Sequence, residues 1–340
     1  MRQSPERGCA RALCRGLLLG VAFSVGLLST SSAAVPQNSN RPELQVLEGQ
    51  SHNFNPLLQL RVAPRLGTVS GDESRDVPKT FVDMTPTELA SVVPELNHLK
   101  PAESQDVLPK ILAGAGAAVA AFFDNFPNTA CTEHVISNVH RVKLKGVLHY
   151  DKTYNYLALA EEGSIKGRLR EYRTDATGQI VQPDGIVTFG FVALSVNFHP
   201  DYQADSRYRY LGREEMEKQD TYVVAFAQRP QVARQTASVQ YLGQGGSVYL
   251  QGVAWIDPAN FRIVRLRTDI EQPESNVGLQ KETIKVLYSE VSFGKSQVTL
   301  WLPQEVAVTG QLKQYLFHNQ HRYSDYRLFN VQVEQKEGKP

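Results

Sequence analysis

Cysteine is nearly missing from this chain of 340 residues: there are three, and two of them, Cys9 and Cys14, lie in its first turns of sequence. Past that point only Cys131 remains, so no internal disulfide framework supports the fold and it must be held by its core. An excess of charge of either sign is also missing. Lys+Arg total 36 against Asp+Glu 35, a formal charge of +1, which excludes a basic nucleic-acid binder and an acidic tail. No apolar run after Leu28 is long enough to span a bilayer. There is no N-x-S/T acceptor, no G-x-S-x-G elbow and no recognised metal-ligand spacing among the eight His. With 41% hydrophobic and 9% aromatic residues, the chain can nevertheless bury a sizeable core.

What is present begins with an address. Arg2, Arg7, Arg11 and Arg15 precede an apolar run from Gly16 to Leu28, then small residues ending in Ser32-Ala33-Ala34. This order predicts a signal peptide over 1–34, with cleavage near Ala34 and export to the periplasm or beyond. An uncleaved anchor is the alternative, but about 13 apolar residues fall short of the roughly 20 that span a membrane. Cys9 and Cys14 stand before the apolar run, where a lipoprotein has its Cys after it. Removal of the segment leaves 32 cations against 34 anions, a formal charge of about −2.

Residues 35–80 are rich in Pro, Asn, Ser and charge and read as a flexible leader, with one short strand at Leu57–Val62. A helical region follows over 81–131. Thr85-Pro86-Thr87-Glu88 is a capping box with Pro at the first helical position, and Leu89, Val92, Val93 and Leu96 continue it as one apolar stripe, with Pro94 bending or shortening the helix. A second helix is expected over 104–124, its small-residue stretch AGAGAAVAA letting a neighbour approach closely. That stretch is no dinucleotide fingerprint, since the third Gly and the preceding strand are missing.

From Thr132 the hydrophobic period becomes two. Strands are predicted at 134–148, 154–161, 164–174, 206–213, 220–227, 247–256, 261–270, 283–293, 297–309 and 322–333, joined by short turns such as Asp257-Pro258-Ala259-Asn260. Val187–Phe198 fits either a helix or a buried strand. Sequential hairpins favour an antiparallel meander, with the helical pair on one sheet face, an α+β fold in which 81–131 and 132–335 pack as one domain. Arg262 faces away from Arg265 and Arg267, and Lys285 away from Glu290, so neither strand has the continuous lipid-facing side of a membrane barrel.

Catalytic candidates are thin. His134 follows Cys131 by three residues; Ser195 precedes His199 by four; His318 and His321 form an H-x-x-H that reads as a polar hairpin loop. Glu161-Glu162 and Glu214-Glu215 read as solvated turns, because neighbours on a strand point oppositely and cannot face each other across a cleft. No catalytic residue, cofactor or metal is assigned. The interleaved Tyr and Arg of DYQADSRYRYLGR and HRYSDYRLF read as cross-strand Arg–Tyr and Arg–Asp pairs rather than base-stacking platforms.

Three stretches carry a resemblance: GVAWIDPANFRIVRLRT at 252–268, IKVLYSEVSFGKSQVTLWLPQEVAVTG at 284–310 and HRYSDYRLFNV at 321–331. In order they resemble the later strands of the LolA-like periplasmic lipoprotein-carrier superfamily, and the chain is similar to its large secreted, functionally unassigned bacterial relatives. The resemblance covers roughly 205–333. It implies a strongly curved antiparallel sheet, an incomplete β-barrel covered by N-terminal helices. It also implies an apolar inside that takes lipid or lipoprotein acyl chains. The lid would offer Ile111, Leu112, Val119, Phe122 and Phe123; Tyr222, Val224, Phe226, Trp255 and Trp301 would line the cavity. The same residues suit an ordinary filled core, in an envelope scaffold with a protein partner on its surface. A secreted hydrolase is the remaining reading. The helical region is longer than a minimal carrier needs, and the family's functional arginine falls on no single residue here.

Overall fold

The computed structural model describes residues 59–62 and 79–329, apart from 144, 161–168, 182–185, 187, 217, 242–243 and 295–296. The expected signal segment and Glu161-Glu162 lie outside the described residues. After strand β1 (Gln59–Val62) comes helix α1 (Pro86–Val92). It starts as its sequence dictates: the Thr85 hydroxyl accepts from Glu88 N–H, and the Glu88 carboxylate accepts from Thr85 N–H at 2.7 Å. Pro94 ends it and opens a 3-10 turn, Pro94–Leu96. Strand β2 (Lys100–Pro101) leads to helix α2 (Leu108–Asp124).

The remaining strands are β3 (Thr129–Arg141), β4 (Val147–Ala160), β5 (Leu169–Thr174), β6 (Ser206–Met216), β7 (Gln219–Gln228), β8 (Gln235–Tyr241) and β9 (Gln244–Val248). They are followed by β10 (Leu250–Ile256), β11 (Ile263–Ile270), β12 (Leu279–Ser292), β13 (Thr299–Leu312) and β14 (Tyr315–Leu328). Between β5 and β6 lie a 3-10 turn, Leu194–Phe198, and the short helix α3 (Pro200–Gln203). Val187–Phe198, which fitted a long helix or a strand, is thus mostly a chain of turns among its described residues.

Eleven strands form one antiparallel sheet in the order β2-β6-β7-β10-β11-β12-β13-β14-β3-β4-β5, and β1-β8-β9 form a second. The large sheet is open, with β2 and β5 as its edges. It is also strongly curved. Thr188 receives a hydrogen bond from Arg173 on β5 and gives one to Glu282 on β12. Those strands are five places apart, about 24 Å if the sheet were flat. Only a sheet bent round residue 188 brings both within reach.

Both faces of the sheet's middle are covered. Leu89, Val93 and Leu96 pack on Val223, Ala225, Val253 and Trp255, the outer face. Ile111, Ala115 and Val119 of α2 belong to the other cluster, with Val224, Phe226, Ala254 and Phe198, the inner face. The two helices therefore lie on opposite faces, not on one as their shared amphipathic pattern suggested. The reason is in the strands: all seven residues of β10 are buried, so the sheet there needs apolar cover on both sides. A bulge between Trp255 and Ile256 then turns Ile263 inward and Val264 outward.

Candidate functional site

The inside of the curved sheet is occupied by the chain itself. Phe189, Phe191, Val192, Leu194, Val196 and Phe198 are all buried there, with Phe198 edge-on to Phe226 at 5.6 Å. Backbone polarity in this stretch is met by side chains of the sheet. Arg173 donates to Thr188 O at 3.2 Å, Tyr288 to Phe191 O at 3.1 Å, Asn319 to Ile186 O, and Tyr208 to Asn197 O. The Glu171 carboxylate accepts Gly190 N–H at 2.7 Å and Val192 N–H at 3.3 Å, and also the Tyr156 hydroxyl.

Behind this segment lies a buried charged cluster. Glu133 accepts from Arg173 Nη2 at 2.7 Å, from Tyr323 at 2.8 Å and from the His321 ring at 2.9 Å. The Arg173 guanidinium stacks over Phe189 at 4.0 Å. Burial alone would raise the Glu133 carboxyl; Arg173 and His321 reverse that and hold it at about 2. Burial lowers the His321 imidazole, against the opposing pull of Glu133, which its Nδ1 meets at 2.9 Å. Burial raises Glu171 above the usual carboxylate range against the opposing bonds from Tyr156 and Gly190. Glu282, on β12, has only the Thr188 hydroxyl at 2.9 Å, and burial pushes it up to about 7. Each of these groups makes at least one bond to the segment or to a neighbouring strand, but Arg173 Nη1, Glu282 Oε2 and His321 Nε2 are buried without a hydrogen-bond partner among the described residues.

Of the residues expected to form a lid and cavity, Ile111, Val119, Val224 and Phe226 come together in the inner cluster. Leu112, Phe122, Phe123 and Tyr222 pack against it half-buried, and the Tyr222 ring is stacked with Phe261 at 6.4 Å. Trp301 touches both clusters and donates to Ile263 O at 2.8 Å. Trp255 does not join them. Its register places it beside Val223 on the outer face, fully buried, with its indole N–H on Glu214 at 2.5 Å. What sequence reasoning missed is Glu133, Glu171, Arg173 and Glu282. Their signal was charge at inward positions of otherwise alternating strands, legible only once those strands' facing was fixed.

The other candidates take structural places. Cys131 is buried and its thiol is pushed up by burial; His134 points to the opposite face, to Asp151 at 2.7 Å. His199 Nδ1 accepts Asp201 N–H at 3.2 Å and so begins α3. His318 and His321 lie within β14, not in a hairpin loop, one exposed and one buried. Glu214 and Glu215 lie within β6, not in a turn; Glu214 is buried and Glu215 exposed. Two pairs of the Tyr–Arg segments cross between strands, Arg213 with Asp220 at 2.7 Å and Arg322 with Glu305 at 3.5 Å, whereas Arg207 reaches Asp83, in the turn before α1, at 2.6 Å. On the outer face, Arg265, Lys285, Leu287, Glu305 and Arg322 line a shallow groove of about 300 Å³ beside Glu95. Among the described residues, no group of three or more His, Cys, Asp or Glu is placed to hold a metal ion. No described helix is long and apolar enough to cross a membrane.

No family model matches the chain, and no curated protein matches it. Among solved structures it is similar to a provisionally assigned outer membrane lipoprotein-sorting protein domain from Vibrio parahaemolyticus. That likeness has 14% identity and a TM-score of 0.35, and covers 67% of this chain and 95% of the other. A LolA superfamily protein from Nitrosomonas europaea is similar at 14% identity, 66% and 94% coverage and a TM-score of 0.30. So is a DUF1329 family protein from Desulfovibrio piger, at 11% identity, 66% and 95% coverage and a TM-score of 0.30. These are likenesses of fold, and with TM-scores this low they carry no argument about what the chain binds.

Proposed function

We propose that the chain is an exported, non-catalytic binding protein of the cell envelope, with a filled interior, that meets its partner with its surface. The observation that carries this reading is the anchored segment 188–198 inside the curved sheet. Its buried Phe, Leu and Val side chains are worth roughly 1.5 to 3 kcal/mol each. An acyl chain of about 14 methylenes gains about 0.8 kcal/mol for each, so exchange of one for the other nets near zero. The hydrogen bonds to Glu171 and Arg173 add roughly 1.5 to 3 kcal/mol each to the segment's side. A lipid tail therefore does not displace it.

One observation favours a second reading, a carrier of lipid or lipoprotein acyl chains. Leu112, Phe122 and Phe123 of α2, and the stacked pair Tyr222 and Phe261, pack half-buried against the inner cluster, partly exposed apolar groups that suit a partly inserted tail. Native mass spectrometry of the chain purified from exporting cells, followed by organic extraction, separates the two. The filled-interior reading expects protein without lipid, still so after incubation with envelope lipids. A copurifying lipid that is lost in a folded Phe122→Asp/Phe123→Asp variant overturns it in favour of the carrier.

A further inference from the structure

The end of the β3–β4 hairpin is unlike the rest of the sheet. Val142, Val147, Leu148 and Leu316 are four of the eight large apolar residues exposed among the described residues, and all four meet at this end. Val147 is opposite His140, which is opposite Leu316 across the next strand pair; Leu148 is opposite Val139. Leu148 and Val147 are 57% and 50% exposed. As neighbours on a strand they point to opposite faces, so the hairpin is apolar and uncovered on both sides. It also lacks a second strand neighbour among the described residues: β5 pairs with β4 only from Asn155 onward, so β3 is the strand partner of the first half of β4.

Cations surround these side chains. Arg141, Lys143 and Lys145 are exposed, and among the described residues no carboxylate pairs with them. Asp151, the exposed acidic residue of the same hairpin, is taken by His134 at 2.7 Å. Scattered exposed apolar residues need no explanation, but a cluster with unpaired charge of one sign does. A protein partner covers one side of a hairpin and leaves the other wet. A surface that accepts apolar groups on both sides of a tip, and attracts a ring of cations around it, is the headgroup region of a bilayer.

We propose that this hairpin end docks reversibly on a bilayer rich in anionic lipid, Val142, Val147 and Leu148 entering the headgroup layer while Arg141, Lys143 and Lys145 meet lipid phosphates. The surface does not depend on whether the interior is filled, so its failure and that of the filled-interior reading are separate results. The test is partition of the full exported chain onto vesicles of phosphatidylglycerol and phosphatidylethanolamine, against vesicles of phosphatidylcholine alone. Binding is expected on the anionic vesicles, and it falls as salt is raised. Lys143→Glu/Lys145→Glu lowers the partition coefficient by about tenfold or more, and Val147→Ser/Leu148→Ser lowers it severalfold on both vesicle types. All variants share one N-terminus, so residues before 59 contribute equally. Equal binding to both vesicle types, no change with salt, or no binding at all overturns the proposal. So does a set of variants that break a dimer in analytical ultracentrifugation while leaving partition unchanged; the face is then an interface between copies.

Discussion

Glu133 and Arg173, forty residues apart, close on each other inside the curved sheet with both side chains fully out of solvent. The pair joins β3 to β5 across β4, and His321 and Tyr323 bring β14 to the same carboxylate. Three strands are thereby tied at one atom group, directly behind Phe189.

Loss of one partner leaves the other charged and buried, so Glu133→Gln and Arg173→Met each destabilise the fold by about 3 to 5 kcal/mol. The double variant costs less than the two singles together, because the second change removes the charge that the first exposed. Urea unfolding followed by far-UV circular dichroism measures all three. Additive losses would show that the pair is not coupled.

Glu282 gives the fold a pH dependence of definite sign. Its carboxyl keeps its proton up to about 7 when folded and up to 4.5 when unfolded. Between those values the folded state binds more protons, so stability is full below the lower one and falls as pH rises through the upper, by roughly 3 kcal/mol. Glu271, half-buried and also pushed up to about 7 by burial, adds a slope of the same sign. Glu282→Gln removes its own share and leaves that of Glu271. Urea midpoints across this interval read the difference; an unchanged slope in Glu282→Gln would refute the assignment.

The Trp255–Glu214 bond can be read by light. Glu214→Ala strands a buried indole N–H and costs about 1 to 3 kcal/mol, whereas Glu214→Gln keeps an acceptor and costs less. In a Trp301→Phe background Trp255 is the only indole left, so its emission reports the site directly. Both variants shifting the melting temperature equally would mean that the contact is packing alone.

Gly114 sets the distance between α2 and the β10–β11 turn. A Cβ there would stand 2.4 Å from the ring of Phe261, so Gly114→Ala must push the helix or the ring aside and destabilises by about 1 to 3 kcal/mol. Phe261→Leu in the same chain recovers part of it. Differential scanning calorimetry gives the outcome, and a neutral Gly114→Ala would place the helix elsewhere.

Many of the elements were legible along the chain, though the expected strand 134–148 runs through the turn between β3 and β4, β14 begins before its expected start at 322, and β8 had no expected counterpart. The capping box at Thr85, the change to period two after Thr132 and the turn at Asp257-Pro258 each record a local rule, and each element begins or ends close to where that rule puts it. The cross-strand Arg–Asp pairs were legible for the same reason, since they need only adjacent strands. Val187–Phe198 was not. Its residues are mostly apolar without a period, because nearly all of the described stretch 188–198 is buried and has no water-facing side to mark.

By itself the sequence determined an α+β chain with an antiparallel meander and two amphipathic helices, because capping, periodicity and turn chemistry act over a few residues; the open, curved form was only implied by the resemblance. Only the tertiary structure decided which face each helix covers, that Trp255 lies outside while Phe226 lies inside, and that residues 188–198 fill the curve around Glu133 and Arg173. Those outcomes depend on the curvature and strand order of the whole sheet, which bring together groups forty to two hundred residues apart. Short-range pattern carries no record of that distance.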